Sequence, residues 1–220
     1  SALFSTLNQG ARIELQYLYI DEVAGNHAYS KENATASLSG QWDGYDTITF
    51  NGTNQWMNLD DYIDNFKNDE QGELIVVMEH DGVNFPIPLN IGNSTTGSLI
   101  QFPFNPSLDD PYIVFDDGST AKTGRYDTTL TVGYHIAGFR SDGTRYMIDL
   151  DGAFNNTTIP DASGGWFAQL DTPTTMRIGR RETGTYFVTN VKEIIYYNQE
   201  LTPRERYFNW RYLNTKYGIY

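Results

Sequence analysis

The chain has 220 residues, 39% of them hydrophobic, and 15 Lys and Arg against 28 Asp and Glu, for a net charge of −13. That length supports one sizeable core, and that charge excludes two partners that require a cationic surface, a nucleic-acid backbone and an anionic membrane. The absence of cysteine removes disulfides, thiolate nucleophiles and Cys-based zinc sites together.

From the N-terminus onward, period-two alternation dominates. No apolar run is long enough to cross a bilayer, and residues 1–5 have neither the basic nor the apolar region of a signal peptide. In residues 12–19, Ile13, Leu15, Tyr17 and Tyr19 share one face, as a half-buried strand requires. Residues 47–50 and 55–59 read as short strands joined into a hairpin by Asn51-Gly52-Thr53-Asn54. Residues 73–79 (ELIVVME) are apolar on both faces, which predicts a central strand covered on each side. His80-Asp81-Gly82 reads as a tight turn into residues 83–89, where Pro86 and Pro88 cannot donate to a ladder and make the segment an edge strand or irregular.

Further strands are expected at 112–115, closed by the turn Asp116-Asp117-Gly118-Ser119, and at 129–140, with Leu130, Val132, Tyr134 and Ile136 on one face. Asp142-Gly143 turns the chain into a strand over 144–150, and two more follow at 176–178 and 186–197. Many short strands punctuated by Gly, Asn and Asp are the mark of a sandwich or barrel. One helix is predicted, at the C-terminus. Thr202 caps it, Pro203 suits its first position, Glu205 completes a capping box and Gly218 stops it. Phe208, Arg211 and Tyr212 fall on one stripe, and the helix is expected as a lid on one edge of the sandwich. No repeat or linker divides the chain, so residues 1–220 are expected to be one domain.

Six segments, in order, resemble laminin-G-like domains of the concanavalin A-like jelly-roll group, in their bacterial or phage form. Residues 48–59 resemble the opening "F-N-G" hairpin, and Tyr134-His135-Ile136-Ala137-Gly138 the "W-H-H-V-A" strand, with Tyr in place of Trp. Residues 146–152 resemble "l-Y-v-D-G", and Met176-Arg177-Ile178-Gly179 matches "l-x-I-G". Residues 191–202 resemble "i-x-E-v-x-i-y-n-r-x-L-t", and residues 212–219 a tail frequent in bacterial and phage members. The resemblance implies an all-β, two-sheet antiparallel jelly-roll sandwich with one short C-terminal helix. Residues 41–220 form the family-like core, and residues 1–40 are extra strands or an arm.

The concanavalin A-like group includes glucanases, whose retaining chemistry needs two carboxyl groups about 5 Å apart. The nearest approach is Glu79-His80-Asp81-Gly82-Val83-Asn84, where the second acid would fall on Val83 or Asn84. Neither can protonate a leaving group, so no catalytic residue is assigned and glycoside hydrolysis is the distant alternative. His27, His80 and His135 share no metal-ligand spacing. Jelly rolls of the resembled family often hold one Ca²⁺ between loops; Asp149 and Asp151, of one strand parity, are the candidate ligands, beside the carboxylates of Asp116 and Asp117.

With 16 Tyr and 4 Trp, the composition suits a surface on which sugar rings stack on aromatic faces. Trp42, Tyr45, Asp116, Asp117 and Trp166 lie in Gly-rich loops and are the expected ligand contacts, whereas Trp56 and Trp210 are expected in the core or under the helix. The function expected is a non-catalytic surface module that recognises a glycan or host-surface receptor, on a phage tail, virion or bacterial surface protein. The alternative is a structural domain that assembles with sister subunits or a larger parent protein. An extracellular or virion-surface location goes with either.

Overall fold

A computed structural model describes residues 47–105, 110–119, 121–154, 165–181 and 183–220, together with the backbone of 3–7, 10–14, 29–31 and 35–37. The first strands are β1 (Leu3–Leu7), β2 (Gly10–Glu14), β3 (Tyr29–Lys31), β4 (Thr35–Ser37), β5 (Thr47–Asn51), β6 (Trp56–Asn58), β7 (Gly72–His80) and β8 (Asn90–Gly92). They are followed by β9 (Leu99–Gln101), β10 (Phe104–Asn105), β11 (Asp110–Asp116), β12 (Ala121–Arg125), β13 (Gly133–Ser141), β14 (Tyr146–Leu150), β15 (Thr175–Ile178) and β16 (Val188–Tyr197). Among the described residues one α-helix, α1 (Pro203–Tyr217), comes last.

Two antiparallel sheets form a sandwich. One has six strands in the order β14-β13-β7-β16-β5-β4. The other has eight, running β10-β11-β9-β8-β15-β6-β3 with β12 also on β11. Among the described residues, β1 pairs with β2. Phe50, Leu74, Val76, Met78, Phe139 and Ile194 of the first sheet meet Met57, Ile91, Ile100, Phe115, Met176 and Ile178 of the second in one core. Burial of such side chains contributes about 1.5–3 kcal/mol each, the main favourable term in the fold.

β7 lies between β13 and β16, at the centre of its sheet. Its inward residues fill the core, and its outward Ile75 and Val77 pack with Ile136, Ile195, Trp210, Leu213 and Tyr217 beneath α1. The two-faced apolar run therefore has a cover on each side, as expected. The cover differs in place: α1 lies across the outer face of the six-stranded sheet, not at an edge. Two ion pairs fasten it there, Arg206 Nη2 to Glu73 Oε2 and Lys216 Nζ to Glu193 Oε2, each at 2.9 Å. The cap is as read from the sequence, with Glu205 N–H donating to Thr202 Oγ1 and Gly218 in the left-handed region. The buried stripe is Arg206, Trp210, Leu213 and Tyr217, while Phe208 and Tyr212 are exposed.

Two other expectations change. β5 and β6 do not form a hairpin, because β5 pairs with β16 and β6 with β15, in different sheets. The loop between them crosses the sandwich, and Asn51 Oδ1 organises it by accepting from the N–H groups of Thr53, Asn54 and Gln55. The strand expected from residue 129 begins at Gly133, so Leu130 turns into the inter-sheet core and Val132 stays exposed. Residues 83–89 are irregular, as their prolines require. No helix among the described residues is long and apolar enough to cross a membrane.

Near the core's end, Tyr196 O–H donates to Asp69 Oδ2 at 2.7 Å. Burial raises the Asp69 pKa to about 6, against the lowering effect of the Tyr196 bond. The folded state therefore holds this proton more tightly than the unfolded chain, and the Asp69 contribution to stability falls as pH rises through about 4 to 6. Asp69→Asn keeps an acceptor for Tyr196 without titrating. Wild type minus variant, followed by urea unfolding, is expected to lose stability across that window; a flat difference would contradict the assignment.

Candidate functional site

Strand alternation sends Met57, Ile91, Ile100 and Met176 into the core, so their neighbours face outward from the eight-stranded sheet. The registers Asn58↔Arg177, Arg177↔Asn90 and Asn90↔Gln101 align four polar side chains in one row across β6, β15, β8 and β9. Trp56, two residues before Asn58, shares that face. Just beyond β15, Gly179 at φ +76° turns the chain against Phe50, whose ring leaves no room for a Cβ. Arg180 follows, bridged to Tyr186. Its guanidinium carbon lies 4.3 Å from the Trp56 ring centroid and 4.9 Å from that of Tyr186.

This arrangement is rich in donors and poor in acceptors. Gln101 Nε2 donates to Asn90 Oδ1 at 2.6 Å, and Asp60 Oδ2 lies 3.5 Å from Arg177 Nη2. Four buried N–H donors meet no acceptor: Trp56 Nε1, Asn90 Nδ2, Arg177 Nε and Arg180 Nε. A donor left so costs about 1–3 kcal/mol, which makes a group of four on one face a feature that needs a reason. Asn90 and Gln101 are fully buried and form the floor, whereas Trp56, Asn58, Arg177 and Arg180 are half-buried and reachable. Stacking occupies the faces of the Arg180 guanidinium and leaves its in-plane N–H groups for an acceptor. The result is a cationic, hydrogen-bond-donating recess on an acidic protein.

The residues expected as ligand contacts do not gather there. Trp166 is buried in the core, stacked on Phe167 and donating from Nε1 to Tyr196 Oη at 3.1 Å. Gly165, immediately before it, does not present it to solvent, because it sits against the Phe115 ring and accepts a hydrogen bond from Tyr146 Oη. Asp116 and Asp117 lie at the β11–β12 turn, where their carboxylates accept from the N–H groups of Gly118 and Ser119. Trp42 and Tyr45 lie outside the described residues.

Asp149 and Asp151 do not offer an ion a shared position. Asp149 accepts from Arg140 Nε at 3.0 Å beneath α1, with Arg206 Nε 3.6 Å away. Asp151 lies past the end of β14 at φ 46°, which breaks the shared parity. It binds His135 Nδ1 at 2.6 Å and the Ile136 N–H at 2.9 Å. Both carboxylates are thus committed to cations and backbone of the protein itself. His135 is the strand residue expected. Burial opposes its charge, but the Asp151 carboxylate and the Thr131 carbonyl outweigh burial and raise its pKa.

Sequence reasoning missed the recess because Arg177 was absorbed into a strand motif and Trp56 was assigned to packing. A signal was present: Arg177, Arg180 and Arg181 place three of the chain's 15 cations within five residues.

No protein-family model matches the chain, and no curated protein sequence matches it. Among solved structures, it is similar to the binding domain of botulinum neurotoxin DC in complex with rat synaptotagmin II, with a TM-score of 0.61 at 7% identity over 86% of this chain and 48% of that one. It is similar to the leech intramolecular trans-sialidase complexed with 2,7-anhydro-Neu5Ac, with a TM-score of 0.60 at 16% identity over 79% of this chain and 27% of that one. It is also similar to the CBM40 of the Ruminococcus gnavus IT-sialidase bound to α2,3-sialyllactose, with a TM-score of 0.51 at 12% identity over 63% of this chain and 82% of that one. The chain spans about a quarter of the length of the sialidases it resembles. At these identities the likeness shows the fold, a β-sandwich also found in binding domains.

Proposed function

We propose that this domain is a non-catalytic, extracellular binding module for acidic glycans, and that Arg177 and Arg180 receive the ligand's carboxylate or sulfate. The observation that carries the reading is the set of four unaccepted N–H donors and two guanidiniums on one sheet face. A planar guanidinium matches a carboxylate or sulfate with paired hydrogen bonds, and Trp56 and Tyr186 hold that of Arg180 in place. The similar CBM40 binds sialyllactose, a carboxylate-bearing saccharide, which supports the same ligand class here.

Binding without turnover fits the fate of the acids considered for catalysis. Glu79 accepts from Asn190 Nδ2 at 2.5 Å, and Asp81 is spent on the N–H groups of Val83 and Asn84 in the turn that ends β7. A retaining glycosidase needs two free carboxyl groups facing one bond.

Calorimetric titration with paired oligosaccharides tests the proposal: sialylated, uronate-bearing and sulfated forms, each against its neutral parent. The acidic member of at least one pair is expected to bind at least about tenfold more tightly, with affinity falling as salt rises. Equal affinity within every pair, or no binding by any acidic member, would contradict it.

A further inference from the structure

The opposite side of the sandwich carries a second concavity. Where α1 meets the loop after β14, a cleft of about 280 Å³ opens, lined by Phe154, Tyr207, Trp210, Arg211 and Tyr220. Local chemistry builds each wall. Asp151, pinned by His135 and the Ile136 N–H, starts a turn in which Gly152 takes φ +80°. The Tyr220 ring rests so close to Gly152 that a Cβ there would stand 2.7 Å from it. Asn214 holds Tyr220 in place: its Oδ1 accepts from the N–H groups of Ile219 and Tyr220, each at 2.9 Å, and its Nδ2 donates to the Tyr220 carbonyl. Phe154 stands edge-on to Trp210 with ring centroids 5.5 Å apart.

Two properties of the cleft exceed what packing requires. Phe154, Tyr207 and Tyr220 are 41%, 52% and 53% exposed around one opening, although aromatic rings favour burial. Trp210 is 1% exposed, and its buried Nε1–H meets no acceptor. A leucine or phenylalanine would cover the sheet without stranding a donor, so the indole N–H calls for an oxygen that the protein does not supply.

We propose that this cleft binds one pyranose ring of a neutral saccharide, a site separate from the arginine recess. Apolar C–H faces of the sugar lie against the exposed aromatic rings, and a hydroxyl or ring oxygen accepts from Trp210 Nε1–H. The volume lies near the lower bound for small-molecule sites, enough for one ring and too little for an extended chain. Arg211 is the one charged side chain in the lining, which is otherwise aromatic rings, a glycine and the Asn214 amide.

The probes are methyl pyranosides of glucose, galactose, mannose and N-acetylglucosamine, followed by the indole N–H resonances of the 4 tryptophans. Trp210→Phe assigns its own signal. At least one pyranoside is expected to shift the Trp210 signal saturably, and Tyr220→Ala and Tyr207→Ala, both at exposed rings, to weaken that binding by at least about tenfold. Arg180→Ala is expected to leave it unchanged, which separates this site from the sheet face. No shift with any of the four sugars, or a shift that survives both tyrosine substitutions, would overturn the proposal.

Discussion

Arg206→Met is expected to destabilise the protein by about 3–5 kcal/mol, the cost of breaking a buried ion pair from one side. Glu73 is fully buried on the outer face of β7, and its two oxygens accept from Arg206 Nε at 3.0 and 3.1 Å and from Nη2 at 2.9 Å. Burial raises the Glu73 pKa, and the Arg206 guanidinium opposes that rise. Without Arg206 the buried carboxylate must either remain charged near Asp149 or take up a proton. Because the same residue fastens α1, the helix should loosen along with the charge. The double variant Glu73→Leu/Arg206→Met is expected to recover most of the loss, since neither charge is then stranded. Urea unfolding of both single variants and the double one checks this. If Arg206→Met unfolds like wild type, the pair does not fasten the helix.

Trp166→Ala is expected to cost about 3–5 kcal/mol, as for other large aromatic residues removed from a core. Its ring stacks on Phe167 at 5.0 Å and approaches Phe102 at 5.5 Å, so truncation opens a cavity between the sheets. Trp166→Phe keeps one ring in the core but loses the hydrogen bond to Tyr196, worth about 1 kcal/mol, and part of the indole's packing. This ordering separates a core residue from a ligand platform. Thermal unfolding is expected to rank wild type above Trp166→Phe and Trp166→Phe well above Trp166→Ala. Equal stability of wild type and Trp166→Ala would contradict burial of the indole.

The architecture was legible where a residue pattern has one physical solution. Alternation identified most of the sheet strands, the apolar run of β7 required cover on both faces, and Thr202, Pro203, Glu205 and Gly218 marked both ends of α1. What remained hidden depended on partners distant in sequence. Asn51-Gly52-Thr53-Asn54 has the residues of a hairpin loop, and only the pairing of β5 with β16 and β6 with β15 shows that it crosses between sheets. Asp149 and Asp151 looked like paired oxygen donors because Arg140, Arg206 and His135 were not yet placed beside them. The Gly-rich approach to Trp166 suggested exposure, whereas Gly165 permits close packing against Phe115. The arginine recess needed register above all: Arg177, Asn90 and Asn58 are far apart in the chain and adjacent only in the sheet.

The sheet face carrying Arg177 and Arg180 is proposed to bind an acidic glycan. Titration of Arg177→Ala and Arg180→Ala with the tightest acidic oligosaccharide of the paired panel, alongside wild type and with melting temperatures measured on the same samples, tests it most directly. Each substitution is expected to weaken binding by at least about tenfold, the scale of one charge-assisted pair, while the folded state persists. Undiminished affinity in both folded variants would contradict the claim.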